Sequence, residues 1–268
     1  MQFLRHYLLA VQFFTRIPVT GRLAAWVGFS PAMLRASSAH FPGVGWLAAL
    51  LAAGVYAALY LALAPNPFAP AVAAVFSTIA TVLMTGGFHE DGLADVADGL
   101  GGSADRERAL DIMKDSRIGA FGAMALVLAL LAKVALLSAL GAHGLAAALA
   151  AIAGAHVLSR FWPLCIVRAL PHVGDTARSK SKPLAGQITG RALAVAGLWC
   201  FGPLALVWQA QPAIFLAASV AVSALGAARM ARWFARRLQG FTGDCLGATQ
   251  QVGEIGFYLG AALSLRWV

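Results

Sequence analysis

Long uncharged segments alternate with short charged ones along this sequence. No Asp, Glu, Lys or Arg occurs from Phe41 to His89 or from Ala192 to Ala228, and only Lys133 interrupts the run from Ile118 to Ser159. A helix needs about 20 apolar residues to cross the hydrocarbon core of a bilayer, so each run can hold two such helices. The pattern predicts an all-α, polytopic membrane bundle.

Turn-forming residues divide each of the three runs in two. They lie at 65–67, 141–144 and 209–212. A further apolar segment near the end of the chain adds a seventh helix. We predict about seven transmembrane helices in a single membrane-embedded domain that covers residues 1–268, at 44–64, 68–87, 119–140, 145–165, 192–208, 213–228 and 247–265.

The first residues predict an amphipathic helix that lies on the membrane surface rather than a signal peptide. Polar positions interrupt the apolar stretch, and no small-residue cleavage site follows it. On a helix, Arg5, Gln12 and Arg16 can face water. The residues expected to enter lipid are Phe3, Leu4, Leu8, Val11 and Phe14.

Composition narrows the class of protein further. Hydrophobic residues make up 60% of the chain and charged residues 12%, against about a quarter charged in soluble domains. This excludes a water-soluble enzyme and a disordered protein. The net charge of +9 could indicate nucleic-acid binding, but the basic residues stand in short clusters between apolar runs. We therefore expect contact with membrane lipid and no nucleic-acid partner.

The charged segments predict how the chain is oriented. If the helices alternate, segments 16–40, 88–118, 166–191 and 229–246 share one side, and the turns on the opposite side carry no Lys or Arg. By the positive-inside rule, the charged side faces the cytoplasm.

Negative charge is concentrated on that side. Eight of the eleven acids fall within the 26 residues from Glu90 to Asp115. Among them Asp91, Asp95 and Asp98 are spaced i, i+4 and i+7, which places them on one face of a helix. Three such carboxylates repel each other unless a cation lies among them, and hard oxygen ligands favour Mg²⁺, Mn²⁺ or Ca²⁺. Gly92 would let a bulky substrate approach this helix.

Two alternatives remain open for the acidic segment. It could be a solvated acidic loop, or the cation-coupling site of a transporter, although such sites are expected near mid-membrane. Downstream, Lys114 and Arg117 would suit phosphate oxygens, and anchoring at the membrane interface is an equal alternative. A divalent-metal site beside two cations indicates phosphoryl chemistry.

Several segments of the chain together form a recognisable pattern. They are FHEDGLADVADGLGG at 88–102, IMKDSRIGAFG at 112–122, QFFTRIPV at 12–19, and Thr242-Gly243-Asp244 with Gly247 and Glu254. This pattern resembles that of the cobalamin synthases, which are adenosylcobinamide-GDP ribazoletransferases. The resemblance implies an integral enzyme of the bacterial cytoplasmic membrane that uses Mg²⁺ and whose active site faces the cytoplasm. Its substrates would be adenosylcobinamide-GDP and α-ribazole or its 5′-phosphate, with release of GMP.

The resemblance also implies roles for individual residues. Asp91, Asp95 and Asp98 would hold the metal, and Glu90 would be an additional ligand or a base. Contacts with the pyrophosphate or the metal shell would come from Lys114, Asp115 and Arg117.

Other residues carry two interpretations each. Asp244 is a metal or substrate ligand or else a helix N-cap, and Arg16 binds substrate or anchors the N-terminal helix. His89 supports the site or is a packed imidazole, while Arg160, at the end of a predicted span, is expected to snorkel. Arg178, Lys180 and Lys182 are solvated charges or a lid over a nucleotide.

Two other functions compete with the cobalamin synthase. A CDP-alcohol phosphatidyltransferase also releases a nucleoside monophosphate, but its Asp-Gly-x-x-Ala-Arg pattern fails here, where Asp95 directly follows Ala94. A cation-coupled transporter belongs to a different class altogether. The sequence is compatible with a homo-oligomer and leaves the number of metal ions open.

Overall fold

The structure is a computed structural model that describes residues 1–174 and 188–267. Arg178, Lys180 and Lys182 lie outside these residues. All regular elements of the described part are helical, which confirms the predicted class. Besides two short 3₁₀ turns, the helices are α1 (Gln2–Phe14), α2 (Gly21–Val27), α3 (Pro31–Ser37), α4 (Phe41–Leu63), α5 (Ala69–Thr85), α6 (Phe88–Gly102), α7 (Arg106–Met113), α8 (Ala120–His143), α9 (Leu145–Ala169), α10 (Gly190–Ala210), α11 (Ala213–Arg237) and α12 (Gly243–Ser264).

The seven helices predicted from the apolar runs are all present, as α4, α5 and α8 to α12. The largest difference is at the end of α11, which continues to Arg237 rather than stopping at 228. Arginine and alanine are good helix formers, so the helix need not end where the apolar run ends.

Among the described residues, five segments have the length and hydropathy to cross a membrane. Helices α5 and α6 together make a sixth at most, since the two helices meet at 90°. Helix α12 carries Gln250, Gln251 and Glu254 and is not among them. The count of about seven spans therefore stays a prediction, with α5 and α12 as the two spans still unconfirmed. The five segments are Pro31–Leu63, Ala120–His143, Leu145–Ala169, Gly190–Ala210 and Ala213–Arg237.

Helix α9 is the centre of the bundle. In its most apolar stretch 78% of the residues are buried, against 17–28% in the other four candidate spans. It packs against α4, α10 and α12. The side chain of Arg160, on the buried part of α9, is consequently enclosed by protein rather than exposed to lipid.

The N-terminal helix differs from the prediction in what covers it. Val11 and Phe14 are buried in a cluster with Val27, Leu34 and Phe41, so they pack on protein and do not enter lipid. Phe3 and Leu4 remain exposed. The sequence pattern marked an apolar face but could not distinguish lipid from a neighbouring helix as its cover.

The segments predicted to share one side of the membrane meet at one end of the bundle. The backbone N–H of Arg16 donates to the Met84 carbonyl at 2.7 Å. Arg106 Nε donates to the Leu238 carbonyl at 2.8 Å, and Val173 N–H donates to the Phe241 carbonyl at 2.9 Å. This end carries the candidate site.

Candidate functional site at the acidic helix

The acidic residues lie on a helix that turns away from the span before it. Gly86 and Gly87 both adopt left-handed backbone angles, with φ of 69° and 70°, which residues other than glycine rarely adopt. The chain bends by 90° there, so α6 runs across the end of the bundle instead of continuing α5. The predicted helix is confirmed, and its acids lie where the helices end.

Glycine lets α12 approach this helix closely. A Cβ added to Gly92 would lie 2.8 Å from the Asp244 carbonyl oxygen, and one added to Gly247 would lie 3.2 Å from the His89 carbonyl oxygen. Gly92 is thus covered by α12 and is not open to a substrate, contrary to our prediction. The close packing brings the first turn of α12 beside the exposed Asp91 and the half-buried Asp95.

The pKa of Asp95 is raised by its burial and by the neighbouring carboxylates. Burial, followed by the charges of Asp244, Asp91 and Asp98, raises the pKa of the Asp95 carboxyl to about 7. Nearby like charges disfavour ionisation. A cation among Asp91, Asp95 and Asp244 would relieve this repulsion and hold all three ionised.

Asp98 makes a different set of contacts. Its two carboxylate oxygens accept the backbone N–H groups of Gly119 at 2.7 Å and Gly122 at 2.8 Å, at the start of α8. A Cβ at either glycine would overlap this carboxylate. A carboxylate at a helix N-terminus satisfies free N–H groups and complements the helix dipole. Asp98 therefore fixes α8 against α6, and its role as a metal ligand stays a prediction.

We expect Asp98→Asn to weaken the fold rather than the reaction. The amide has one acceptor oxygen, so at least one of the two N–H groups loses its partner. If it is the buried N–H of Gly122, the cost is about 1–3 kcal/mol. A lower apparent Tm, unchanged by excess Mg²⁺, is the expected result in detergent. A Tm equal to that of the unsubstituted protein, with loss of Mg²⁺ dependence, would instead support a ligand role.

The carboxylates at this end of the bundle are ligands of the kind and number that suit magnesium. Within residues 1–174 and 188–267, no group of three His, Cys, Asp or Glu side chains stands ready to hold a metal ion by itself. Magnesium, however, is usually bound by one or two carboxylates together with waters and substrate phosphates. Asp91 and Asp95 on α6, with Asp244 on α12, fit that mode of binding.

The cationic segment after α7 connects to the same helix. Gly119, which contacts Asp98, ends the segment that begins at Lys114. Arg117 forms an exposed ion pair with Asp115 at 2.6 Å, and the hydrogen bonds from Arg117 lower the pKa of Asp115 to about 2. Lys114 lies 3.9 Å from Asp111 and is exposed. Both cations are accessible to a ligand, although the pair with Asp115 already occupies Arg117.

The structure shows the surroundings of Asp244 and Arg16, which each carried two interpretations. The N-cap of α12 is Thr242, whose hydroxyl accepts the Cys245 N–H at 3.4 Å, so the N-cap interpretation of Asp244 is wrong. Arg16 lies over the bend before α6, where a Cβ at Gly86 would overlap its Nε. Its side chain is exposed, at the start of the acidic helix.

Glu90 is hydrogen-bonded to a series of side-chain amides from α12. Gln251 Nε2 donates to Glu90 Oε1 at 3.0 Å and to Gln250 Oε1 at 2.8 Å. Gln250 Nε2 in turn donates to Glu254 Oε2 at 2.7 Å. The second oxygen of Glu90 is buried and has no partner among the described residues. Glu90 therefore connects the acidic site to the interior of the bundle.

An ionic cluster around Glu254 lies at the inner end of this series of hydrogen bonds. Lys133 Nζ lies 3.0 Å from Glu254 Oε1, and both side chains are at most 3% exposed. His156 Nδ1 lies 3.6 Å from Glu254 Oε2, and the Tyr258 hydroxyl donates to Oε1 at 3.4 Å. Ionisable groups inside a membrane protein are costly and are usually paired. The uncharged run around Lys133 was the sequence signal for this cluster, but it did not identify the partner.

The prediction that Arg160 snorkels is wrong. Its side chain is 2% exposed, it donates to the His156 carbonyl at 2.7 Å, and it lies over the Phe41 ring. His89 is also buried and stacks on the same Phe41 ring, with the two ring centroids 5.7 Å apart. The imidazole of His89 is therefore packed, and its Nε2 has no hydrogen-bond partner in the part of the chain that the structure describes. A supporting role at the site stays a prediction.

Comparison with known proteins identifies relatives over nearly the whole chain. The model of the cobalamin-5-phosphate synthase family matches residues 6–262. A protein of Polaromonas naphthalenivorans named adenosylcobinamide-GDP ribazoletransferase is 63% identical, with 99% of this chain and 100% of that protein covered. A protein of the same name from Albidiferax ferrireducens is 61% identical, over 98% and 99% of the two chains.

More distant relatives bear the same name. One from Vibrio cholerae is 41% identical over 94% of this chain and 91% of its own length. No solved structure matches the chain. The resemblance seen in the acidic helix and the segment after it therefore extends over the whole length. This chain belongs to the cobalamin-5-phosphate synthase family, whose relatives are named adenosylcobinamide-GDP ribazoletransferases.

Proposed function

We propose that this protein is a membrane enzyme that joins adenosylcobinamide-GDP to α-ribazole or its 5′-phosphate, the last joining step of cobalamin assembly. The observation that carries the proposal is the similarity over full length to relatives named for this reaction. The proximity of Asp91, Asp95 and Asp244 at one end of the bundle supports the proposal of a reacting site there.

The proposed reaction is a phosphoryl transfer. The acceptor hydroxyl oxygen attacks the phosphorus that carries cobinamide, and the new P–O bond replaces the bridging P–O bond of the pyrophosphate. GMP leaves with the electrons of that bond, and the hydroxyl proton is released. Negative charge develops on the leaving phosphate, so cationic groups near it lower the barrier.

The carboxylates are proposed to bind magnesium together with the pyrophosphate. Asp91, Asp95 and Asp244 would be its protein ligands. The ion would neutralise phosphate oxygens and stabilise the leaving group. The accessible Lys114 and Arg117, and Arg16 at the start of α6, are proposed to bind the pyrophosphate oxygens.

Glu90 is the proposed acceptor for the hydroxyl proton. One of its oxygens is held by Gln251, and the other is buried without a partner among the described residues. A fixed carboxylate with a free oxygen can orient a hydroxyl and accept its proton as the P–O bond forms. The charged end of the bundle is proposed to face the cytoplasm, because its basic residues follow the positive-inside rule.

Reconstituted protein tests the proposal. Supplied with adenosylcobinamide-GDP, α-ribazole and Mg²⁺, it is expected to release GMP in equal amount to the corrinoid product. Mass spectrometry identifies the corrinoid, and chromatography quantifies GMP. Monodisperse protein that forms neither product from either acceptor would overturn the assignment.

A further inference from the structure

The outward face of α11 changes from apolar to basic along its length. Exposed residues recur on this face every three or four positions. Leu225, the last large apolar residue of the row, is 65% exposed. Beyond it the same row continues with arginines. The row consists of Ile214, Ala217, Ala221, Leu225, Arg229, Arg232 and Arg236.

The opposite face of α11 is the one that packs on protein. Its buried residues follow at steps of three or four, and α11 makes its main contact with α12. The outward row is therefore on the surface that lipid would cover. The buried residues are Phe215, Ser219, Ser223, Ala227, Met230 and Phe234.

The three arginines form what we call the arginine strip: Arg229, Arg232 and Arg236. None of them makes an ion pair or a side-chain hydrogen bond with another residue of segments 1–174 and 188–267. Arg237 differs, because it donates to the carbonyls of Leu100 and Ser103 and so holds α11 against α6.

The helix dipole does not account for the strip. A cation stabilises a helix C-terminus only within about the last turn. Helix α11 ends at Arg237, so Arg229 and Arg232 lie beyond the reach of that effect. Three cations spread over roughly 10 Å of helix repel each other, and an anion between them would offset the repulsion.

The side chains around the arginine strip favour a lipid as the source of that anion. A cleft of about 330 Å³ is lined by the three arginines together with Leu225 and Trp233. Trp233 is partly exposed and stacks on the buried Phe234, as tryptophans do at the level of lipid headgroups. A soluble phosphate would make no favourable contact with the apolar side chains of the cleft. An acyl chain, in contrast, could pack along the row from Leu225 towards Ile214.

We propose that the arginine strip binds the phosphodiester headgroups of anionic phospholipids, with the acyl chains along the apolar part of the α11 row. Basic residues at the membrane surface recognise such headgroups through charge and guanidinium–phosphate hydrogen bonds. The strip lies at the bundle end that carries α6, so a bound lipid would fix the depth of that end in the membrane. The inference is independent of the reaction proposed above.

Native mass spectrometry with added lipid tests the proposal. Protein purified in neutral detergent is titrated with cardiolipin, phosphatidylglycerol or phosphatidylcholine. We expect binding of both anionic lipids and none of phosphatidylcholine at the same concentration. In the variant Arg229→Gln/Arg232→Gln/Arg236→Gln, we expect about 100-fold weaker binding, given the contribution of each basic residue near an anionic surface.

A charge-matched variant provides the control. Arg22→Gln/Arg35→Gln/Arg168→Gln removes three exposed arginines from α2, α3 and α9, and we expect it to bind lipid as the unsubstituted protein does. If the triple variant of the strip does not fold, Arg232→Gln alone should weaken binding about fivefold. Equal losses in both triple variants, or inorganic pyrophosphate displacing the lipid at equal concentration, would overturn the proposal.

Discussion

Replacing Asp95 by Asn is expected to abolish turnover while the protein remains folded in the membrane. Burial, followed by the charges of Asp244 and Asp91, raises the pKa of Asp95 to about 7. The amide is of similar size but cannot neutralise a bound cation. Loss of charge stabilisation at a phosphoryl-transfer site corresponds to a rate decrease of about 100-fold or more. GMP release at saturating substrate measures it.

Asp111→Asn is the matched control for that experiment. Asp111 lies on α7, its side chain is 65% exposed, and Lys114 Nζ lies 3.9 Å from its Oδ1. We expect near-normal turnover, since an exposed pair at that distance contributes little. Size-exclusion chromatography must show both variants monodisperse. Asp95→Asn protein with near-normal turnover would refute the assignment of Asp95 to the reacting site.

Asp95 and Asp98 also show what the acidic pattern could and could not predict. Their spacing predicted one helix, and α6 confirms it. The same spacing predicted a shared role for both carboxylates. In the fold, Asp98 meets the N-terminus of α8 while Asp95 meets the first turn of α12. Helical periodicity gives the face of a residue, but the partners depend on helices distant in sequence.

The membrane spans were more predictable than their contacts. Bilayer thickness sets the length of an apolar run, so the positions of α4 and α8 could be read directly. Whether lipid or a neighbouring helix covers each helix could not be read from the sequence. Arg160 lies near the end of an apolar run, which suggested snorkelling, yet α9 is the central helix and its Arg160 is enclosed by protein. Val11 and Phe14 are covered by helices instead of lipid for the same reason.

The ionic cluster inside the bundle predicts an asymmetric response to substitution. Lys133 and Glu254 are 3.0 Å apart and almost fully buried. Glu254→Gln removes the only ion-pair partner that Lys133 has among the described residues and leaves an ammonium buried. Breaking a buried pair in this way costs about 3–5 kcal/mol, which lowers the apparent Tm by about 10 °C.

Lys133→Leu is expected to cost less, because the carboxylate keeps other partners. Gln250 and the Tyr258 hydroxyl still donate to Glu254, and His156 remains beside it. The double variant Lys133→Leu/Glu254→Gln leaves no ammonium unpaired, so its Tm should lie above that of Glu254→Gln alone. Thermal unfolding in detergent, with Asp111→Asn as an exposed control, measures all three. Additive losses in the double variant would show that the two residues stabilise the bundle separately and not as a pair.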